Sequence, residues 1–336
     1  MDAKPNAQLL YTPKALAACE KALRTILKKI GPWGTQLILI GGMTPKYLVG
    51  NAPKDIKEHV GTTDLDVVVG VTLSTEEEEA YRTLQQNLKD SGFAPGKNLE
   101  TGQEETFRWV RDIDGVNVAL EFFCPVGDGT AGKLYRNPGK NVGSKISAIR
   151  TRGAELAAQD NFTVTLSGDT LDEGGIKEGV VAKVANFLPF LVLKAFAIEE
   201  RDKPKDSYDV IWTLNAYKNG PQSVVEEITK SPVLGHREVA VGYLRKNFAS
   251  IDHSGPAQYA RFEQSGGSEE ERAVLRRYAH GTITEFLKHW DEGKLRSRRI
   301  CGRAGEARDR AKHEPTREPV RQRKLRKLHE DTQTRG

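Results

Sequence analysis

The chain has 336 residues, of which 38% are hydrophobic and 29% charged, and its formal net charge is +5. This length favours roughly two domains with a sizeable buried core, and no apolar run reaches the roughly 18 residues needed to cross a bilayer. The three cysteines are isolated, which argues against a disulfide framework or a cysteine-rich zinc site. Because the N-terminus lacks the basic and apolar regions of a secretory signal, we expect a cytoplasmic protein without membrane contact.

Hydrophobic periodicity predicts an α+β fold with an α/β-type core, in which a mixed sheet is flanked by helices and followed by a mainly helical region. In the first half, the predicted helices are 13–30, 44–49 and 74–89, and the predicted strands are 37–40, 65–71, 106–110, 116–123, 162–166 and 179–184. Residues 112–115 have the composition of a hairpin turn. The stretch from Gly127 to Lys145 is rich in glycine and proline, and we expect a long loop there.

From Phe187 onward the pattern is helical. We therefore expect a sheet domain at residues 1–185, a helical domain at 186–292 and a basic, flexible tail at 293–336. From Asp291 to Gly336 there are 15 Lys and Arg against 8 Asp and Glu, a net charge of +7, which leaves −2 for the rest of the chain. Such a tail could follow a phosphate backbone. A solvated tail without that role is the alternative, because no aromatic residues lie between the basic ones.

Asp64 and Asp66 begin a predicted strand, and their spacing points both side chains to one face. Two such carboxylates repel each other and resist ionising unless a cation neutralises them. The pair is therefore a candidate site for Mg²⁺, or Mn²⁺, and for phosphate chemistry. Upstream, Gly41 and Gly42 follow a buried strand and permit a tight turn with close backbone approach. The alternative is that Asp64 caps a turn and Asp66 is a solvated strand end.

A third acidic residue, Glu121, emerges from an apolar strand and is expected to have no adjacent cation, which is unusual for a structural carboxylate. Lys194 is the one charge in an apolar helix, and a buried ammonium group needs an anion nearby. Asp206 and Asp209 share a face of the next helix and could pair with Lys194 or Arg201. An ion cluster that pins the two helices is one interpretation; for Lys194 we favour the other, in which a triphosphate is the anion.

In this order, the features resemble the nucleotidyltransferases of the AbiEii/AbiGii toxin family, in the polymerase-beta-like nucleotidyltransferase superfamily. The resemblance covers roughly Ile38 to Leu214. It depends on Gly-Gly after a strand, the Asp-x-Asp strand, a later strand acid, Lys194 with Arg201, and the Lys-Asp-x-x-Asp run that ends at Asp209. The order of these short motifs is more specific than any one of them.

The resemblance implies metal-dependent transfer of a nucleoside monophosphate from an NTP to an acceptor hydroxyl, with release of pyrophosphate. The metal ligands that it implies are Asp64, Asp66 and Glu121. The nucleotide-binding residues that it implies are Gly41, Gly42, Thr63, Lys194 and Arg201. Asp209 would position Lys194 or contact the nucleotide, and it completes a catalytic set with Asp64, Asp66, Glu121 and Lys194.

The family also implies partners: RNA, notably tRNA, as acceptor, and an antitoxin protein in a toxin–antitoxin pair. Two alternatives stay open, namely a catalytically silent module that binds RNA or a partner protein, and an enzyme that modifies a small molecule. The chain departs from the family pattern in the interval between Gly42 and Asp64, which is longer than typical and suggests an inserted loop. Gly42 also stands where many relatives carry serine.

Overall fold

The fold is α+β, as the sequence predicts. The structure is a computed structural model that describes residues 11–29, 36–69, 77–98, 100–136, 146–172, 174–264 and 267–313; at 77–83, 177 and 296–313 only the backbone is described. The chain divides into two compact units, Met1–His289 and Trp290–Gly336. The domain boundaries predicted after residues 185 and 292 stay predictions. No described helix is both long and apolar enough to cross a membrane.

One mixed sheet contains the nine described strands. They are β1 Leu37–Ile40, β2 Asp64–Val69, β3 Ala94–Lys97, β4 Glu104–Ile113, β5 Val116–Pro125, β6 Leu134–Arg136, β7 Ser147–Thr151, β8 Asn161–Gly168 and β9 Ile176–Ala185. The strand order is β3-β4-β5-β2-β1-β9-β8, and β7 pairs with both β5 and β6. Strand β2 lies between β1, to which it is antiparallel, and β5, to which it is parallel.

Ten helices are described. They are α1 Pro13–Lys29, α2 Thr44–Val49, α3 Glu77–Asp90, α4 Ala154–Gln159, α5 Phe187–Glu200, α6 Pro204–Ala216, α7 Pro221–Lys230, α8 Arg237–Asn247, α9 Ser254–Glu263 and α10 Glu269–His313. A 3₁₀ turn, Gly41–Met43, joins β1 to α2. Asn186 is the N-cap of α5, and its side-chain oxygen accepts a hydrogen bond from the backbone N–H of Phe187 at 2.9 Å.

The sheet buries apolar side chains on both faces, which explains why β1 is an unbroken run of Leu and Ile. Leu37 and Leu39 pack with α1 in the larger core, whereas Ile38 and Ile40 join the alanines of α4 on the opposite face. In β2, Val68 belongs to this second face. Because side chains alternate along a strand, Asp64 and Asp66 also lie on the α4 face.

Several strands are longer in the structure than the sequence predicts, and some observed elements were not predicted at all. Strand β6 lies inside the stretch 127–145 that was expected to be a loop, so that expectation is wrong for residues 134–136. Strands β3 and β7 and helix α4 were not predicted. The backbone at 293–313 continues α10, although a flexible tail was expected there. Predictions for residues 30, 70–76, 137–145 and 314–336 lie outside the described residues.

Candidate functional site

The three acidic residues predicted from the sequence come together on neighbouring strands. Asp66 of β2 lies directly beside Glu121 of β5 in the parallel register, and Asp64 precedes Asp66 on the same face. The Asp66 carboxylate also covers Gly41, where φ is +71° and a Cβ atom would lie 1.9 Å from Asp66 Oδ2. Only glycine fits this close approach, so the Gly41 turn and the Asp66 side chain form one unit.

Burial and mutual repulsion disfavour the ionised forms of Asp66 and Glu121. Burial, followed by repulsion from Asp66 and Asp64, raises the pKa of Glu121 to about 7. Burial and the charge of Asp64 also raise the pKa of Asp66. Among the described residues, none donates a hydrogen bond to the Asp66 carboxylate or lies within ion-pair distance of it. A cation at this position would stabilise the ionised carboxylates and would be bound favourably.

Two cations that were not predicted as site residues lie beside the carboxylates. Nη1 of Arg108 is 3.3 Å from Oε1 of Glu121, and its Nη2 is 3.7 Å from Oδ1 of Asp64. Nζ of Lys203 is 3.8 Å from Oδ2 of Asp64. The expectation that Glu121 has no adjacent cation is therefore wrong. The physical reason is the β4–β5 hairpin, which pairs Arg108 with Glu121 in register and could have been found by counting outward from the predicted turn.

Lys194 has its anion within the protein. Its Nζ lies 2.7 Å from Oδ1 of Asp206 and 2.7 Å from Oδ2 of Asp209, and all three side chains are buried. Arg201 binds Asp206 with two nitrogens, at 2.9 and 3.2 Å. The two aspartates hold the pKa of Lys194 above its usual value, against the effect of burial. This is the ion cluster between α5 and α6 that the sequence left as an alternative, so the need of Lys194 for an anion is no longer an argument for a triphosphate.

Asp209 has further partners that the sequence did not indicate. Its Oδ1 lies 2.6 Å from Nζ of Lys205 and 2.9 Å from Nε2 of His59. Burial overcomes the charge of Asp209 and lowers the pKa of Lys205. The Lys205 ammonium group lies at the Gly41–Met43 turn, since a Cβ atom on Gly42 would be 3.0 Å from its Nζ and 2.9 Å from Thr62 Oγ1. The Lys-Asp-x-x-Asp run was a usable signal for Lys205, but nothing local marked His59.

A cavity of about 270 Å³ opens directly beside the carboxylates. It contains five of the residues predicted for the site, which are Gly41, Asp66, Glu121, Lys194 and Arg201. The cavity is also lined by apolar side chains of β5, β7 and α5, which include Phe123, Ile149 and Phe190. Further cations line it as well, namely Arg150, Arg152 and Lys203. The cavity is therefore lined by carboxylates, by apolar side chains and by cationic side chains.

The remaining predicted residues lie around this cavity. Gly42 is on the Lys205 side of the turn, and Asp209 is fully buried in the ion cluster. The backbone carbonyl of Thr63 accepts a hydrogen bond from Ala119 N at 3.2 Å, which ties the start of β2 to β5. Asp64 is near enough to Asp66 and Glu121 to raise the pKa of both.

The donor set is suited to a hard divalent cation, because Mg²⁺ prefers carboxylate oxygens. Burial, and then repulsion between the carboxylates, raises the pKa of Asp66 and of Glu121, and a bound cation would favour their ionised forms. Among the described side chains, however, no group of three or more His, Cys, Asp and Glu already has the spacing that encloses a metal ion. Asp64, Asp66 and Glu121 are the residues that would hold such an ion, and they fit it by chemical type and charge.

The chain was compared with family models, curated proteins and solved structures, and none of them matches it. The resemblance drawn from the order of motifs therefore stays a prediction.

Proposed function

We propose that the chain is a Mg²⁺-dependent nucleotidyltransferase, which transfers a nucleoside monophosphate from an NTP to an acceptor hydroxyl. The observation that carries this proposal is a single cavity that is lined by Asp66 and Glu121 and also by Lys194, Arg201 and Lys203. An NTP combines a polyanionic chain with a flat apolar base. A site for it needs cations, carboxylates that can hold a metal ion, and an apolar surface, and all three are present here.

The chain's own residues have separate tasks in this proposal. Arg201 and Lys203 line the cavity, and their positive charges attract phosphate groups. Lys194 and Asp209 fix α5 to α6 and so hold those cations in place. Burial and the neighbouring carboxylates raise the pKa of Glu121, and its Oε atoms would hold the divalent ion or accept the proton of the attacking hydroxyl. When bound, the divalent ion would neutralise phosphate charge as pyrophosphate departs.

The test is a labelling experiment with the full chain, Mg²⁺, total RNA and each α-labelled NTP in turn, after which RNA and protein are resolved separately. We expect label in RNA with the natural chain and none with Asp64→Asn/Asp66→Asn. A matched control is Asp112→Asn/Asp114→Asn, which changes two carboxylates at the β4–β5 hairpin, one near the end of β4 and one in the turn. Equal labelling by the two double variants would refute the site.

The acceptor is proposed from charge. The segment from Asp291 to Gly336 has a net charge of +7, which favours a polyanionic acceptor such as RNA. Replacing the basic residues of 321–327 with glutamine in the full chain should weaken RNA labelling and reduce its salt dependence, while NTP affinity is unchanged. Unchanged RNA labelling would favour a small acceptor, and label found only in protein would redirect the search to protein hydroxyls.

A second candidate is a catalytically silent module of the same fold that binds RNA or a partner protein. Arg108 favours it, because its guanidinium group contacts both Glu121 and Asp64 at the place where a metal ion would be bound. Isothermal titration with Mg²⁺ and Mn²⁺ discriminates the two. Binding that is lost in Asp64→Asn/Asp66→Asn supports the enzyme, and no binding in the presence or absence of NTP supports the silent module.

A further inference from the structure

The loop between α2 and β2 is bound closely to α6. Trp212 Nε1 donates a hydrogen bond of 2.8 Å to the carbonyl of Lys57, and the backbone N–H of Val60 donates one of 3.2 Å to the Tyr208 hydroxyl. Between these two contacts, the ring of His59 packs against Tyr208 and Trp212, with centroids 5.3 and 4.8 Å apart. The loop that the sequence suggests as an insertion is therefore an ordered part of the α6 surface.

The hydrogen bonds of His59 define its tautomer. The backbone N–H of Gly61 donates to His59 Nδ1 at 3.0 Å, so Nδ1 is the acceptor and the proton is on Nε2. Nε2 then donates to Asp209 Oδ1 at 2.9 Å. Burial lowers the pKa of His59 to about 4, so the ring is neutral at physiological pH. It gives Asp209 a directed hydrogen bond without adding a further charge to the cluster.

Asp209 connects the hydrogen bond of His59 to Lys205, which lies at the Gly41–Met43 turn. The same oxygen that accepts from His59 lies 2.6 Å from Lys205 Nζ. That ammonium group is at the turn, 3.0 Å from the position of a Cβ atom on Gly42. Hydrogen bonds therefore connect the ring of His59 to Asp209 and Asp209 to Lys205, and the Lys205 ammonium group lies next to Gly42. The turn faces the cavity through Gly41, which lies under Asp66.

We propose that His59 is a positioning residue of the nucleotide site, which holds Asp209 and Lys205 so that the Gly41–Met43 turn keeps the shape that receives the donor nucleotide. This inference rests on the proposed function. His59 is not among the residues that line the cavity, and none of its described contacts is with Asp64, Asp66 or Glu121, so it acts through its hydrogen bonds to Asp209 and Gly61. Its loss should therefore weaken nucleotide binding more than it slows the chemical step.

The test compares His59→Leu, which keeps an apolar side chain between Tyr208 and Trp212, with His59→Gln, which keeps an N–H donor near the position of Nε2. The matched control is His253→Leu, because His253 is exposed and its side chain bonds only Ser250 among its described partners. For the NTP that gives the strongest label, we expect the leucine variant to raise KM roughly tenfold, as for a lost hydrogen bond to a charged group. Its kcat should change by less than about threefold, and the glutamine variant should restore KM.

A second readout does not depend on nucleotide transfer. Lys205 is buried, so an amine-acylating reagent followed by mass spectrometry should modify it slowly in the natural chain and in His59→Gln, and faster in His59→Leu. If the leucine variant does not fold, His59→Asn replaces it, because its shorter amide does not reach Asp209.

Unchanged KM and unchanged Lys205 acylation in the leucine or asparagine variant would overturn the proposal. So would a variant that is less stable but has an unchanged KM, since that describes a purely structural residue. A natural chain that transfers no nucleotide would refute the proposed function. In that case the acylation experiment alone decides whether His59 holds Lys205, and equal acylation in all variants would overturn this inference as well.

Discussion

Gly41→Ala measures the energetic consequence of the close approach of the turn to Asp66. A Cβ atom at this position would lie 1.9 Å from Oδ2, 2.7 Å from Cγ and 2.8 Å from Cβ of Asp66, at a φ of +71°. The positive φ alone costs about 1–2 kcal/mol for an L-residue. The overlap adds to this because the Asp66 side chain must leave its position, so we expect a total loss of about 2–4 kcal/mol in the free energy of unfolding.

Gly102→Ala is the matched control, because its φ is +68° and nothing lies within 4 Å of the added Cβ atom. Urea unfolding followed by circular dichroism should show a loss of about 1–2 kcal/mol for this variant, from the backbone conformation alone. In an Asp66→Ala background, Gly41→Ala should cost less than in the natural chain, because the two nearest atoms are then absent. Equal losses for Gly41→Ala and Gly102→Ala, together with full nucleotide transfer, would refute the reasoning.

Three further predictions concern charge and burial. Lys194→Met should lower the free energy of unfolding by about 3 kcal/mol in urea titrations, because it leaves two buried aspartates each short of one partner. Lys203→Met, at a half-buried pair with 3.8 Å between Nζ and the Asp64 carboxylate, should cost less than about 1 kcal/mol. Burial raises the pKa of Glu121 from 4.5 to about 7 in the folded chain, so ionisation of Glu121 lowers the free energy of unfolding as pH rises from 4.5 to 7. Glu121→Gln should flatten that part of the plot of stability against pH, and identical plots for the variant and the natural chain would contradict the raised pKa of Glu121. Burial raises the pKa of Cys19 to about 12, so alkylation at pH 8 followed by mass spectrometry should modify Cys19 in the folded chain far more slowly than in the unfolded chain.

Much of the fold was predictable because its main elements have clear periodicity. The helices α1 and α2 and the strands β1, β8 and β9 match the expected segments within a few residues. Strand β3 was missed because it contains Pro95 and Gly96, which weaken a strand pattern, and the structure places a register shift between these two residues. Strand β7 is short and follows a stretch of turn-forming residues.

The candidate site was predictable only where the sequence itself sets the geometry. The spacing of Asp64 and Asp66 puts both on one face, and the hairpin register would have placed Arg108 beside Glu121. The contact of His59 with Asp209 joins residues 150 positions apart, and no local pattern gives such a distance. The same is true of Lys194, whose need for an anion was correctly inferred but whose partner depends on how α5 packs on α6.

The position of β1 in the sheet has a consequence for synthesis of the chain. Ile38 and Leu39 of β1 pair with Lys183 and Val184 of β9 in parallel, although about 145 residues separate them. A growing chain therefore leaves one edge of β1 without its partner until Ala185 has left the ribosome. Non-local pairing of this kind closes slowly and leaves an apolar edge open to other chains. We expect the yield of soluble protein to depend on translation speed through residues 176–185 and on chaperones that shield β1 until then.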